Sequence, residues 1–210
     1  MNRLAFRFLA ATILFTATSC AREEEYHLTE EQLAWQGYRI GQELSFGHAQ
    51  DGQVRTYRVT DVQDHMESQY TGYTVSLFAA PDIDCQQVTI TVQRTDSAFR
   101  PQTALKLGLY YDESDETVKL EAQTDWEAAY SVYLPIDSVS QGAPIDTLNY
   151  YYRSAKLLAS ATFGPLTYAQ VIHVKPYQYG SRAIRNLYYA KGKGVVAFEE
   201  NGSGLWFRLP

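Results

Sequence analysis

The sequence predicts a mainly β protein, a single antiparallel domain folded as a β-sandwich or a curved half-barrel, with one short N-terminal helix. Three observations predict this fold class. From Gln42 onward, short runs of β-branched and aromatic residues alternate with polar residues at the period of a strand. Turn-forming pairs such as Asp51-Gly52 and Gly164-Pro165 separate these runs. The chain also contains 17 tyrosines, and aromatic residues favour strands.

Residues 1–19 have the composition of an export signal. Arg3 and Arg7 precede an apolar run over residues 8–15, and small residues follow up to Cys20. The apolar run is too short to cross a bilayer as a helix, which takes about 20 apolar residues. The sequence Ala17-Thr18-Ser19-Cys20 resembles the lipobox of bacterial lipoproteins. The alternative is an ordinary secretory signal, which would give a soluble exported protein.

The resemblance to lipoproteins implies cleavage before Cys20 and a lipid on its thiol, which would anchor the protein in a membrane. It divides the chain into a signal peptide over 1–19, a lipidated tether over 20–27 and a single β-rich domain over 28–210. The acidic run at 23–25 resembles the surface-export signal of Bacteroidetes envelope lipoproteins, although a solvated spacer would have the same composition. We therefore expect a location in the cell envelope, at the periplasmic or surface face of the outer membrane.

The charge of the mature chain argues against a nucleic-acid partner. Removal of Arg3 and Arg7 leaves 16 basic against 24 acidic residues, a net charge of −8. A nucleic-acid binder needs a basic surface to neutralise phosphates, and the sequence contains no extended Lys/Arg cluster. If Cys20 carries a lipid, Cys85 is the only remaining thiol and no intramolecular disulfide can form. We expect Cys85 to be a buried, unreactive thiol.

A helix is predicted after the tether. Thr29 and Gln32 have the spacing of a capping box, and Leu28 and Leu33 have that of a hydrophobic staple across it. These signals predict a helix of two or three turns that ends before Gly37.

Strands are then expected over 44–46, 54–62, 73–79, 88–94, 105–111, 118–122 and 130–135. The region 147–162 is ambiguous, because Tyr150-Tyr151-Tyr152 favours a strand and Ala155–Ala159 contains good helix formers. We interpret it as a strand.

The C-terminal region predicts a strand over 166–174 and a meander of three strands at 187–189, 195–198 and 205–207. Glycine-containing turns at 191–194 and 201–204 separate the strands of the meander. The run from Tyr189 to Val196 resembles a closing motif of uncharacterised envelope lipoproteins, in which a last hairpin completes an antiparallel sheet.

No motif for catalysis, metal binding or cofactor binding is evident. His27, His48, His65 and His173 lack the close spacing of metal ligands. The acidic run 112–116 lacks the spacing of a calcium loop, and Asp82 and Asp84 are interpreted as loop acids. Ser203 lies in a glycine-rich turn without the pattern of a nucleophile elbow. We therefore expect no cofactor, and we name no catalytic or metal-binding residue.

The tyrosines are the one candidate binding feature, since an amphipathic ring suits a groove for glycans, peptides or lipids. The candidate binding surface comprises Tyr150, Tyr151, Tyr152, Tyr188 and Tyr189. The first functional hypothesis is an anchored binding or structural module that contacts an envelope protein, a glycan or a lipid.

Two alternatives remain open. The first is a carrier of an apolar ligand such as an acyl chain, by analogy with the half-barrel fold of lipoprotein carriers. It requires a cavity lined by residues such as Leu105, Leu107, Val118, Leu120, Leu157 and Phe163. The second is a hydrolase without a recognisable motif, which requires carboxylates or a histidine to converge in one cleft.

Overall fold

A computed structural model of the chain describes residues 24–69, 83–96, 104–112, 116–124, 130–140, 152–176 and 184–210. Within these ranges the two short helices are α1 (Glu30–Leu33) and α2 (Ile136–Ser140). The strands are β1 (Glu24–Tyr26), β2 (Glu43–His48), β3 (Val54–Gln69), β4 (Ile83–Arg94), β5 (Ala104–Asp112), β6 (Thr117–Thr124), β7 (Tyr130–Pro135), β8 (Tyr152–Phe163), β9 (Leu166–Pro176), β10 (Ile184–Ala190), β11 (Gly194–Glu200) and β12 (Gly204–Arg208).

The strands form one 12-stranded sheet that is nearly closed into a barrel. The order is β7-β6-β5-β4-β3-β2-β12-β11-β10-β9-β8, with antiparallel neighbours throughout, and β1 adds in parallel to β4. The two edge strands of this path, β7 and β8, come near each other without pairing in the described residues. The predicted mainly β class is confirmed. Of its two predicted forms, the structure has the curved sheet and not the sandwich.

Most of the predicted strands are present. The strand predicted over 130–135 has the same bounds as β7, and β8 confirms the strand interpretation of the ambiguous region from residue 152 onward. Strands β2 and β3 pair around the Asp51-Gly52 turn, where Gly52 has a φ of 70°. The C-terminal meander is also present, as β10, β11 and β12. The strand predicted over 73–79 lies outside the described residues.

The N-terminal helix begins as predicted but is shorter. Thr29 Oγ1 accepts from the backbone N–H of Gln32 at 3.2 Å, and Gln32 Oε1 accepts from the N–H of Thr29 at 2.8 Å. The prediction of two or three turns is wrong, because α1 is a single turn that ends at Leu33. The chain then turns so that Trp35 and Tyr38 enter the barrel core, where each is only 2% exposed. Burial of these two aromatic rings therefore overrides helix propensity.

The segment over residues 27–38 is joined to the barrel by polar contacts as well as by burial. The N–H of Leu28 donates to Gln86 Oε1 at 3.0 Å. Gln32 Nε2 donates to Asp137 Oδ1 at 2.7 Å, and Asp137 Oδ2 accepts from the N–H of Val118 at 2.7 Å. These bonds fix the segment against β4, β6 and the short helix α2, which the sequence did not predict.

Two glycines allow this segment to approach the turn between β10 and β11. A Cβ at Gly37 would lie 2.6 Å from the backbone nitrogen of Lys193. Gly194 has a φ of 79°, and a Cβ there would overlap the ring of Tyr38. Only glycine combines this backbone conformation with so close a contact. Gly194 of the predicted closing motif thus has a packing role in addition to its role in the turn.

The sheet has an apolar cluster on each face along its C-terminal strands. Leu187 and Tyr189 of β10 point into the barrel core, whereas Tyr188 and Ala190 belong to an outer cluster with Phe163, Tyr168, Val171, Val196 and Ala197. Tyr168 and Val171 share this outer face because Gln170, between them, has a φ of 49° and reverses the alternation of the strand. The turn at Gly164 lies over the ring of Phe207. The tip of the β8–β9 hairpin therefore covers the outside of β10–β12.

Candidate ligand-binding site

The barrel contains a small cavity of about 30 Å³. Side chains from β2, β3, β4, β5, β10 and β11 meet there with one residue of the N-terminal segment. Each is aliphatic or aromatic, and together they are Tyr38, Leu44, Phe46, Tyr57, Val92, Leu105, Ile184, Leu187, Val195 and Phe198. An apolar cavity stays dry because water finds no polar partners in it.

Tyr38 holds the N-terminal segment against the cavity. Its hydroxyl accepts from the backbone N–H of Val195 at 2.7 Å, in a fully buried contact. Burial raises the pKa of Tyr38 to about 12, so the phenol is neutral at physiological pH. This bond satisfies an N–H of β11 at a point where the register between β10 and β11 shifts.

One wall of the cavity is aromatic. The ring of Phe46 meets that of Tyr57 edge-on, with centroids 5.6 Å apart, and that of Phe198 at 5.4 Å. Such pairs are worth about 0.5–1.5 kcal/mol beyond the area that they bury. The wall is therefore held in place by its own ring contacts.

Tyr57 differs from Tyr38 in the charged groups around its hydroxyl. Tyr57 is 5% exposed, and its buried hydroxyl lies beside the side chain of Arg55. Burial raises the pKa of Tyr57 to about 12, although the nearby Arg55 and Arg94 guanidinium groups oppose that rise. The hydroxyl is thus a neutral donor at physiological pH, in a residue that lines the cavity.

Both of these guanidinium groups already have carboxylate partners. Arg55 makes two parallel bonds to Glu200, of 2.7 and 3.0 Å, and lies 3.8 Å from the centre of the Trp206 ring. Arg94 makes the same kind of fork with Asp96, at 2.5 and 3.0 Å. The positive charges beside Tyr57 are therefore neutralised locally.

A histidine, an aspartate and a serine converge at the turns that join β2 to β3 and β11 to β12. His48 Nδ1 lies 2.6 Å from Asp51 Oδ1, but His48 Nε2 contacts the backbone carbonyl of Ser203 and not its hydroxyl. The Ser203 hydroxyl donates to Glu200 Oε2 at 2.7 Å. The residue types are those of a hydrolytic triad, but His48 does not contact the serine hydroxyl, whose partner is the carboxylate of Glu200. The arrangement instead joins two hairpin turns beneath the stacked rings of His48 and Trp206.

Two residues of the predicted tyrosine surface, Tyr188 and Tyr189, have described side chains, and these lie on opposite faces of the sheet. Tyr189 is 0% exposed, and its hydroxyl donates to the carbonyl of Trp35 at 2.8 Å inside the barrel. Tyr188 lies on the opposite face, between the rings of Phe163 at 4.7 Å and His173 at 4.4 Å. Tyr152 begins β8, and nothing further is described for its side chain. Tyr150, Tyr151 and the lipid-attachment candidate Cys20 lie outside the described residues.

The cavity differs from the one that the carrier hypothesis required. Of the six predicted lining residues, Leu105 lines it. Leu107, Val118 and Leu120 are packed in the core, Phe163 lies in the outer cluster, and Leu157 is 40% exposed. Sequence reasoning missed the other nine lining residues. The alternation in β2, with Leu44 and Phe46 on one face, was the available signal for part of the set.

Fold and cavity together define the protein as a mainly β chain whose nearly closed barrel contains a small apolar cavity. Comparison of the chain with protein-family models, curated proteins and solved structures finds no match. Among the helices of the described residues, none has the length and apolar character to cross a membrane.

Proposed function

We propose that the protein is an envelope lipoprotein that binds an apolar ligand in the cavity of its barrel. The observation that carries this proposal is the cavity itself, whose lining side chains are all aliphatic or aromatic. Barrels commonly hold small ligands in their interiors, and apolar pockets bind by removing apolar surface from water.

The size of the cavity limits the ligand. A volume of about 30 Å³ suits a short alkyl segment or the end of an acyl chain more than a whole lipid. Each buried methylene group contributes about 0.8 kcal/mol to binding. The hypotheses of an envelope binding module and of a carrier of an apolar group then describe the same function, and the cavity is its site.

The membrane anchor is the second part of the proposal and is supported by the leader sequence and Cys20. Intact mass of the protein from its native membrane tests it. The expected mass is that of residues 20–210 plus a diacylglyceryl group and further acylation, and Cys20→Ala should abolish the addition. An unlipidated wild-type mass would refute the anchor and leave ligand binding to be judged separately.

Ligand binding is tested by anomalous diffraction from crystals of the protein pressurised with xenon, a small apolar atom that enters dry apolar cavities. Leu187→Phe should fill the cavity and lower the xenon occupancy there at least roughly tenfold. Leu158→Phe is the matched control, since Leu158 packs in the outer cluster. Circular dichroism must show both variants folded. Equal binding by Leu187→Phe and the wild type would refute the cavity as the site.

A further inference from the structure

We propose that one end of the barrel lies against the surface of the lipid bilayer in which the protein is anchored. This membrane-facing end is the one where β3 finishes at Gln69 and β4 begins at Ile83. The Asp51-Gly52 turn, at the other end of β3, then faces away from the bilayer. The inference rests on the lipid at Cys20 that the proposed function assigns, and it adds the orientation of the domain.

The first observation is the short stretch of chain between the lipid site and the folded domain. Only three residues separate Cys20 from Glu24, the first residue of β1. An extended chain covers at most about 3.6 Å per residue, so Cys20 lies within about 15 Å of Glu24 whatever the conformation between them. A lipidated Cys20 is held at the bilayer surface, and the start of β1 must therefore lie close to that surface.

The second observation is that β1 is fixed to one end of the barrel. Glu24 lies opposite Ile83 and Tyr26 lies opposite Cys85, in parallel register with β4. The ring of Tyr26 also stacks on that of Tyr111, with centroids 3.9 Å apart. Because β1 and β4 run in parallel, the chain from Cys20 enters β1 at the same end of the barrel at which the chain enters β4. The anchor is therefore attached to the domain at that end.

Strand β3 shows how far the opposite end lies from the anchor. Its antiparallel register with β4 places Gln69 opposite Ile83, and thus beside the start of β1. The strand has 16 residues, and at about 3.3 Å per residue it is up to about 50 Å long. Val54, the first residue of β3, is therefore much farther from the anchor than Met66, near its end. Asp64 and Glu67 are exposed near the membrane-facing end, so the lipid and not charge attraction to an anionic bilayer would hold that end in place.

The experiment measures energy transfer from a fluorophore on β3 to rhodamine-labelled lipid headgroups, with the lipidated protein reconstituted into phosphatidylcholine vesicles. Met66→Cys and Val54→Cys are a matched pair of labelling sites, because both side chains are apolar and exposed, by 39% and 50%, on the same strand. The wild type gives the background labelling, since Cys85 is buried. Energy transfer should be at least roughly twofold more efficient from position 66 than from position 54, because up to about 40 Å of strand separates them. Circular dichroism must show both variants folded, and intact mass must show the lipid.

The outcomes separate this inference from the proposed function. If the protein carries the lipid but transfer from the two positions is equal, or greater from position 54, the orientation is refuted and the anchor stands. Transfer that persists unchanged when Cys20→Ala is added to the Met66→Cys variant would overturn the short connection to the lipid as its cause. If intact mass shows no lipid on the wild type, the anchor fails and the inference fails with it.

Discussion

Tyr38→Phe isolates the hydrogen bond between the N-terminal segment and the barrel. The substitution keeps the ring and removes the hydroxyl that accepts from Val195 N–H at 2.7 Å. Val195 is 3% exposed, so water cannot replace the lost acceptor without a local opening of the structure. Leaving a buried N–H unpaired costs about 1–3 kcal/mol, and we expect the free energy of unfolding to fall by about that amount. For a chain of this size, the melting temperature should fall by roughly 2–12 °C.

The assay is urea unfolding at 25 °C followed by circular dichroism, with the melting temperature as a second measure. Tyr168→Phe is the matched control, because it removes a buried hydroxyl for which the described residues supply no partner. Its free energy of unfolding should stay within about 0.5 kcal/mol of the wild-type value or rise. Equal stabilities of Tyr38→Phe and the wild type would refute the reasoning that this bond fastens the segment to β11.

Three further predictions concern the ends of the barrel. Gly194→Ala should lower the melting temperature more than Gly202→Ala, because both glycines have positive φ but only Gly194 contacts Tyr38. Equal decreases in the melting temperature of the two variants would contradict that contact. Arg55→Ala should lower the free energy of unfolding in urea by about 2–4 kcal/mol, because it leaves the largely buried carboxylate of Glu200 without its guanidinium. An unchanged midpoint of the urea transition would count against a stabilising ion pair. The pKa of Asp51 is lowered by the N–H of Gln53 and by His48, so its ionised form stabilises the fold at neutral pH and that contribution disappears as the pH falls below 3.8. Asp51→Asn should accordingly melt below the wild type at pH 7, with a smaller difference under acid conditions, and a pH-independent difference would exclude this linkage.

Local signals in the sequence predicted local structure well. The Thr29–Gln32 capping box and the Asp51-Gly52 hairpin turn each depend on residues a few positions apart, and both are present in the structure. Strand β7 has its predicted bounds because Pro135 and a period of two mark it clearly. A signal that spans only a few residues along the chain can be interpreted without the tertiary fold.

Features that depend on long-range packing could not be predicted in the same way. Helix α1 is short because Trp35 must reach the barrel core and the hydroxyl of Tyr189, a residue 154 positions away in the chain. The outward position of Tyr168 depends on the backbone reversal at Gln170, a residue type that gives no signal of positive φ. The sequence therefore indicated which segments are strands but not which face each aromatic residue occupies.

The cavity is the clearest case of this limit. Its lining joins Leu44 of β2 to Phe198 of β11, and these strands are brought together only when β12 pairs between them. Period-two alternation identifies residues that share a face, but the register of six strands decides which of them meet.

The position of a bound ligand can be measured directly by anomalous X-ray diffraction from crystals of the protein equilibrated with bromoethane, a short bromoalkane. We predict a bromine peak inside the barrel, within about 4 Å of the side chains of Leu187 and Val195. A bromine peak found only outside the barrel, for example beside Tyr188, would contradict ligand binding in the cavity.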